Sequence, residues 1–162
     1  MCALNPYEQF LDGRPVEQIL DTTPKALAAA LESISAEKST LTYAPCKWCA
    51  AEILCHLADL EIIFGFILRQ TLTEDHPTIQ HFDQDKWAAT YPRIPASQAL
   101  NVFTALRQWN ITLIRNAPPE AATRPITHLV LGAMTFQTIV EIMAGHDLNH
   151  LDQLHRIAAQ CA

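Results

Sequence analysis

Glycine is scarce in this chain, and its scarcity bears on the fold. Only four glycines occur among 162 residues. The chain also has few stretches in which apolar and polar residues alternate, the pattern of strands in a half-buried sheet. Alanine and leucine, in contrast, are abundant. Gly-rich turns joining many short strands are typical of all-β domains. The composition therefore predicts an all-α fold.

Long apolar runs are absent as well. The longest apolar stretch, residues 62–68, is far shorter than the roughly 20 residues that a membrane-spanning helix requires. The N-terminal residues have neither the basic start nor the apolar segment of a signal peptide. We therefore expect no membrane partner and a cytoplasmic protein.

The chain also lacks an excess of positive charge. Eleven Lys and Arg residues stand against seventeen Asp and Glu, for a formal net charge of −6. Proteins that bind nucleic acid need clusters of cationic side chains to neutralise phosphates. We expect no nucleic-acid partner.

No regular cysteine framework is present. The five cysteines are an odd number without repeated spacing, so we expect thiols rather than disulfides. With 49% hydrophobic and 17% charged residues, the chain has room for one domain with a sizeable core. That domain is predicted to span residues 1–162.

Four long helices follow from capping signals and apolar spacing. The sequence Thr22-Thr23-Pro24 is typical of a helix start. A loop hinged at Gly132 is expected over residues 124–134. The predicted helices cover residues 24 to about 39, 49 to about 73, 97 to 117 and 135 to about 159.

The connection between the second and third helices sets the expected topology. Residues 74–95 contain three prolines and mixed charge, with one helical turn expected near residues 85–90. The second helix is about 36 Å long, whereas an extended chain of 22 residues reaches roughly 70 Å. The connection can therefore cross the bundle, so the second and third helices can run parallel.

Three histidines point to a metal site. His146 and His150 are four residues apart, so their imidazoles share one face of a helix. Apolar residues and Gln153 at three-and-four spacing make that face the inward one. His56 lies in a similar stripe on the second helix. A histidine on an apolar face is more often a hydrogen-bonded core residue, but three on two helices favour a shared divalent cation with an open coordination position.

Two carboxylates flank His56. Glu52 and Asp59 could accept the second N–H of its imidazole or act on solvent as a general base, and a capping or exposed role is the alternative. Helix geometry turns Asp147 away from the metal-facing side, toward solvent or a salt bridge, and places His155 at the surface. The other histidines lie in predicted loops, from which one could approach the site: His76, His81 and His128.

The order of several landmarks is characteristic of a known family. Trp48 precedes residues 52–59 (EILCHLAD), a long connection follows, and Gly132 precedes the helix with His146 and His150. Over residues 20–158 the chain resembles the DinB-like superfamily of metal-binding four-helix bundles. The resemblance implies an up-down-down-up bundle, a frequent homodimer, and a zinc or nickel ion held at positions 56, 146 and 150.

The resemblance also implies candidate activities. The superfamily includes S-transferases that use bacillithiol, mycothiol or related small thiols, and a thiol-dependent maleylpyruvate isomerase. We take a metal-dependent transferase that joins a low-molecular-weight thiol to a small-molecule electrophile as the leading hypothesis. A metal-dependent hydrolase and a non-catalytic metal-binding or stress-response protein are the alternatives. The cations available for an acidic thiol cosubstrate include Arg69, Lys86, Arg93 and Arg124.

Two further motifs receive simpler interpretations. Cys46 and Cys49 form a Cys-x-x-Cys motif where Ser or Thr would be expected to cap the second helix. Without a βαβ pattern, a single such pair is weak evidence for redox chemistry. The segment from His146 to His150 is similar to a zincin motif, but Asp147 replaces its glutamate and only 12 residues follow His150. Proteolysis is therefore not expected.

Overall fold

Four long helices form a bundle in the structure, a computed structural model that describes residues 5–34, 38–91 and 93–161. No helix in this described part is long and apolar enough to cross a bilayer. The helices are α1 (Glu8–Leu11), α2 (Val16–Glu32), α3 (Ala50–Thr73), α4 (Gln84–Ala88), α5 (Ala96–Arg115) and α6 (Phe136–Cys161), with a 3-10 turn at Pro119–Thr123; the strands are β1 (Thr78–Ile79), β2 (Pro125–His128) and β3 (Gly132–Thr135).

Two apolar clusters among the described residues fix the direction of each long helix. One cluster combines residues 19–20 of α2, 60–68 of α3, 111–114 of α5 and 136–144 of α6. The other combines residues 27–30, 50–58, 96–103 and 154–157 of the same helices. The early residues of α3 and α5 share a cluster, so these helices run parallel, and α2 and α6 run opposite to them. The order is up-down-down-up, as the long connection predicts.

A small sheet occupies two regions that were predicted as loops. β2 and β3 form an antiparallel hairpin over residues 125–135, and β1, from the long connection, pairs in parallel with β2. Ile126 and Met134 are buried, so the hairpin closes one side of the bundle. The predicted helical bundle is therefore confirmed, and the prediction of a loop over residues 124–134 is wrong, because strands of two to four residues are too short to show an apolar period.

The start of α2 was also predicted wrongly. The helix begins at Val16, and Pro24 lies inside it rather than at its first turn. Proline has no N–H to donate to the carbonyl four residues earlier. That carbonyl, on Leu20, instead accepts a long hydrogen bond of 3.5 Å from Nη1 of Arg107 on α5. A tertiary contact thus compensates for the proline. The helix ends at Glu32, before the predicted end near residue 39, and residues 35–37 lie outside the described part.

A buried ion network joins α3, α5 and α6. Arg107 is fully buried and donates to Glu61 Oε1 at 2.6 Å and to both carboxylate oxygens of Asp147 at 2.5 and 3.0 Å. Asn110 Nδ2 donates to Glu61 Oε2 at 3.0 Å. Burial opposes the charge of the guanidinium, but attraction to Asp147 and Glu61 outweighs it and raises the pKa of Arg107. Asp147 therefore takes the predicted salt-bridge role, in the core rather than at the surface.

Replacing Arg107 should test how far the bundle depends on this network. The Arg107→Met variant would leave two buried carboxylates without a counter-charge, so we expect a loss of about 3–5 kcal/mol in the free energy of unfolding at pH 7. Urea denaturation followed by circular dichroism measures it. The control is Arg115→Met, which breaks the exposed Arg115–Asp21 pair and should cost less than about 1 kcal/mol. Equal small losses in both variants would contradict the assigned importance of the network.

Candidate metal centre

The three histidines singled out by their spacing meet in the core. His56 on α3 and His146 and His150 on α6 are 1%, 4% and 5% exposed. Nε2 of His146 lies 3.1 Å from Nε2 of His56 and 3.1 Å from Nε2 of His150. One nitrogen from each ring lies within 4.8 Å of the other two. Two helices that are distant in sequence thus direct their imidazoles at one point.

The spacing of these nitrogens fits a divalent cation. Nitrogen ligands about 2.1 Å from an ion, with angles of about 90° to 109° between them, stand about 3.0 to 3.4 Å apart. The observed 3.1 Å falls in this range. Nδ1 of His56 and Nδ1 of His146 are buried and have no hydrogen-bond partner among the described residues. Hydrogen bonds at Nδ1 therefore do not account for burying the rings of His56 and His146, whereas a cation bound by the cluster would.

Gln153 fixes the orientation of one ring. Its Oε1 lies 3.0 Å from Nδ1 of His150. An amide oxygen can only accept a hydrogen bond, so Nδ1 carries the proton and Nε2 presents a lone pair to the cluster. Gln153 belongs to the inward stripe seen in the sequence, but its role as the partner of His150 was not predicted.

Burial keeps all three rings uncharged. Burial, with a smaller contribution from His150, lowers the pKa of His56 to about 3. Burial also lowers the pKa of His150 to about 4, although Gln153 opposes the shift. The pKa of His146 is lowered by burial first and then by its neighbours His150 and His56. Neutral imidazole is the form that binds a metal ion, so the rings are ready to act as ligands at pH 7.

Aromatic side chains enclose the cluster. Trp48 stacks on His150 with 6.2 Å between ring centroids and contacts His56 at 4.6 Å. Tyr7 meets His146 edge-on at 5.1 Å, and burial raises the pKa of its phenol. Tyr7 reaches this position because residue 145 is glycine. A Cβ there would lie 2.6 Å from the carbonyl oxygen of Tyr7.

Tyr7 was not identified from the sequence. The available signal was Gly145 itself, a glycine inside a long helix and directly before a candidate ligand. Such a glycine costs about 1 kcal/mol relative to alanine and often marks a close backbone approach. It indicates that something packs against the helix at that point, although not which residue.

The two carboxylates near His56 have other partners. Glu52 Oε2 accepts from the backbone N–H of Cys49 at 2.8 Å and caps α3. Asp59 Oδ2 accepts from the hydroxyl of Tyr91 at 2.8 Å. Since Nδ1 of His56 has no partner among the described residues, neither carboxylate takes the predicted role of fixing that ring. The capping alternative describes Glu52.

The cysteines are free thiols where the structure describes them. Cys46 is exposed, and Cys49 and Cys55 are buried. Burial raises the pKa of Cys49 despite its place at the N-terminus of α3, and it raises the pKa of Cys55 to about 11. A protonated buried thiol is unreactive, so neither Cys49 nor Cys55 is an activated thiol in this structure.

Two cavities of opposite character meet at the histidines in the described part of the chain. One, of about 350 Å³, touches His146, and the other, of about 340 Å³, touches His150. Tyr7 and Gln84 line both. We call the first the apolar chamber; it is lined by Pro6, Tyr7, Leu60, Ile63, Phe64, Ile67, Ile79, Gln80, His81, Phe82, Gln84, His128, Val130, Leu131, Met134, Ile139, Ile142 and His146. We call the second the polar chamber; it is lined by Tyr7, Tyr43, Cys46, Lys47, Trp48, Gln84, Asp85, Asn149, His150 and Gln153.

Comparison with known proteins agrees with the fold and the histidine cluster. A family model described as the DinB superfamily matches residues 19–154. The chain belongs to the DinB superfamily. Two Oceanobacillus iheyensis proteins, each named "Putative metal-dependent hydrolase", are 25% and 23% identical to it over 133 residues, which is 82% of this chain and 77% of each relative. A Bacillus cereus protein of the same name is 22% identical over 154 residues, 90% of this chain and 89% of its own.

A solved structure shares the architecture of this DinB-superfamily chain. YfiT from Bacillus subtilis, described as "a probable metal-dependent hydrolase with an unusual four-helix bundle topology", superimposes with a TM-score of 0.85. The match covers 90% of this chain and 85% of that one at 19% identity. At this identity the likeness establishes the four-helix-bundle fold.

Removing a histidine ligand from either α3 or α6 should abolish metal binding. His56→Ala and His150→Ala each remove one candidate ligand, so we expect metal affinity to fall by more than the 10- to 100-fold typical of losing a ligand's hydrogen-bond partner. Elemental analysis of protein purified without a histidine tag measures the bound metal. Helical circular dichroism should largely persist. His155→Ala changes an exposed residue of α6 and should retain full metal content. Retention of metal by His56→Ala would show that the cluster is not the site.

The metal-free protein should be sensitive to mild acid. The candidate ligands titrate near 6.5 when exposed but below that in the fold, for example at about 4 for His150. The unfolded chain therefore binds more protons between pH 6.5 and about 4, and the free energy of unfolding must fall as the pH falls through that window. Urea titrations at several pH values measure the slope. His150→Gln should reduce the number of protons taken up on unfolding in this window by about one, and His155→Gln should leave that number unchanged.

Proposed function

We propose that this DinB-superfamily protein is a divalent-metal-dependent enzyme that transfers a low-molecular-weight thiol to a small apolar electrophile. The observation that carries the proposal is the meeting of two cavities of opposite character at one three-histidine cluster. A reaction between a polar and an apolar molecule needs a site with access to both. The small molecules are the substrates, and zinc or nickel is the metal we favour.

The ligand set supports a catalytic rather than a structural ion. Three protein ligands are typical of catalytic zinc, whereas structural zinc usually has four. In the described part of the chain, no further His, Cys, Asp or Glu joins the cluster. A divalent cation held there would supply a Lewis acid that lowers the pKa of a thiol or of water. A sealed, non-catalytic site would need a fourth protein ligand.

The residues in and around the cluster have separate roles in holding the ion and in limiting the access of water. His56, His146 and His150 hold the ion as neutral rings, and Gln153 keeps the lone pair of His150 Nε2 directed at it. The stacked Trp48 and the edge-on Tyr7 limit the approach of bulk water. Limiting water favours a thiol over solvent as the nucleophile and strengthens local electrostatic interactions.

The polar chamber suits the thiol cosubstrate. Lys47 provides a cation for a carboxylate, and Asn149 and Tyr43 provide hydrogen-bonding groups beside His150. The four cations considered from the sequence line neither chamber. Arg69 and Arg124 donate to backbone carbonyls, and Lys86 pairs with Asp83. Lys47 therefore replaces them as the candidate.

Hydrolysis is the second candidate function. It is favoured by the names of the relatives from Oceanobacillus and Bacillus and needs the same ion and the same chambers. The difference is the nucleophile. A hydrolase would turn over its substrate without a thiol, and a transferase would not.

A single assay separates the two. The metal-loaded protein is incubated with monochlorobimane and, in turn, bacillithiol, mycothiol, glutathione and coenzyme A. Transfer forms a sulfur–carbon bond, releases chloride and returns the thiol proton to solvent, so free thiol falls as fluorescent product rises. We expect this with at least one thiol, only with metal, and at least 100-fold less in His56→Ala.

The parallel arm uses 4-nitrophenyl butyrate without thiol. Release of nitrophenol at a rate that depends on metal, together with no consumption of any of the four thiols, would favour the hydrolase and reject the transferase. His155→Ala serves as the control in both arms and should match the unmodified protein.

A further inference from the structure

The apolar chamber contains a second pair of histidines that takes no part in the metal cluster. His81, on the long connection, and His128, at the end of β2, both line the chamber, with 6.0 Å between their ring centroids. His128 is half-buried and His81 is exposed. The rest of the chamber wall is largely apolar, so these two polar rings are candidates for contact with a polar group of a ligand.

The hairpin fixes the tautomer of His128. Its Nδ1 accepts hydrogen bonds from the backbone N–H groups of Val130 at 3.1 Å and Leu131 at 3.0 Å. A nitrogen that accepts two such bonds carries no proton, so the neutral ring bears its hydrogen on Nε2. Within the described residues, no acceptor is paired with that Nε2–H. The turn thus holds the ring through Nδ1, which leaves the Nε2–H available to solvent or to a ligand in the chamber.

The surroundings indicate what that donor can bind. Ile79, Phe82 and Met134 are among the apolar residues of the same chamber, and no Lys or Arg lines it. Burial, with a smaller contribution from His81, lowers the pKa of His128, so the ring is neutral at pH 7. A carboxylate placed beside His128 would find no Lys or Arg in the chamber wall to pair with and would pay a desolvation cost. An uncharged oxygen acceptor fits better.

We propose that His128 is a substrate-binding residue whose Nε2–H donates a hydrogen bond to the carbonyl oxygen of an uncharged, apolar substrate in the apolar chamber. This proposal rests on the proposed function, since it assigns that chamber to the electrophile. It narrows the electrophile to neutral carbonyl compounds whose apolar part lies against α3 and α6. The volume of about 350 Å³ is at the lower end of the range for small-molecule sites, about 300–1,000 Å³.

Two probes of nearly the same shape test the hydrogen bond. Acetophenone has a carbonyl oxygen that ethylbenzene lacks. Affinities for both are measured by titration calorimetry on the full chain, with zinc bound and after its removal, so that contact between the carbonyl and the metal is separated from contact with His128. In the His128→Asn variant, we expect acetophenone to bind about three- to tenfold more weakly, the effect of one hydrogen bond. Ethylbenzene affinity should change less than about twofold.

The choice of variant separates binding from folding. An Asn side-chain oxygen can occupy the place of Nδ1 and accept from Val130 and Leu131, so His128→Asn keeps the turn and loses only the distal donor. His128→Gln places an amide N–H near the position of Nε2 and should restore part of the acetophenone affinity. His155→Asn, on the exposed face of α6, should affect neither probe. Equal weakening of both probes in His128→Asn would mean a structural role and overturn the proposal.

Nitrogen NMR of the histidine side chains tests the tautomer of His128 without an activity assay. We expect His128 to show a protonated Nε2 and an unprotonated Nδ1, and the Nε2 resonance to shift with acetophenone but not with ethylbenzene. A protonated Nδ1 would overturn the proposal. Because these measurements do not use a thiol, probe binding without thiol consumption would reject the transferase alone. Thiol consumption without a carbonyl preference would reject the role of His128 alone.

Discussion

The arrangement of this molecule depends on the register between α3 and α6, since that register brings three imidazoles to one point. The buried ion network fixes it. Arg107 of α5 holds Asp147, the residue directly after His146, and Glu61, five residues after His56. A shift of either helix by one turn would move a carboxylate about 5.4 Å and leave a buried charge unpaired. Because such a charge costs several kcal/mol, the network makes other registers unfavourable and so preserves the metal centre.

Much of the candidate site could be predicted because helical spacing is a local property. The pair His146 and His150, and the placement of His56 in an apolar stripe, follow from 3.6 residues per turn. Arg107 and Glu61 could have been found in the same way: Phe103, Arg107 and Asn110 form one inward stripe on α5, and Glu61 continues the stripe of Leu57 on α3. The partner of each charge could not be predicted, since the pairing depends on how the helices pack.

Other features escaped prediction because long-range contacts decide them. Pro24 is a strong signal for a helix start by local rules, and its place inside α2 is accompanied by a contact from another helix, the long hydrogen bond from Arg107 on α5 to the carbonyl of Leu20. Tyr7 lies far from His146 in sequence and meets it through the gap left by Gly145. The hairpin forms because it pairs with β1 from the connection and buries Ile126 against the bundle. In each case the local pattern is compatible with several structures, and packing selects one.

Electrostatics links the network to the metal centre in a second way. The guanidinium of Arg107 is close enough to His146 to lower the pKa of that imidazole, in addition to burial and the two other histidines. Its carboxylate partners, Asp147 and Glu61, hold the guanidinium in this place. The network therefore disfavours protonation of the ring next to Asp147. Because neutral imidazole is the form that binds a metal ion, the same side chains that set the helix register also keep His146 in the form that a metal ligand requires.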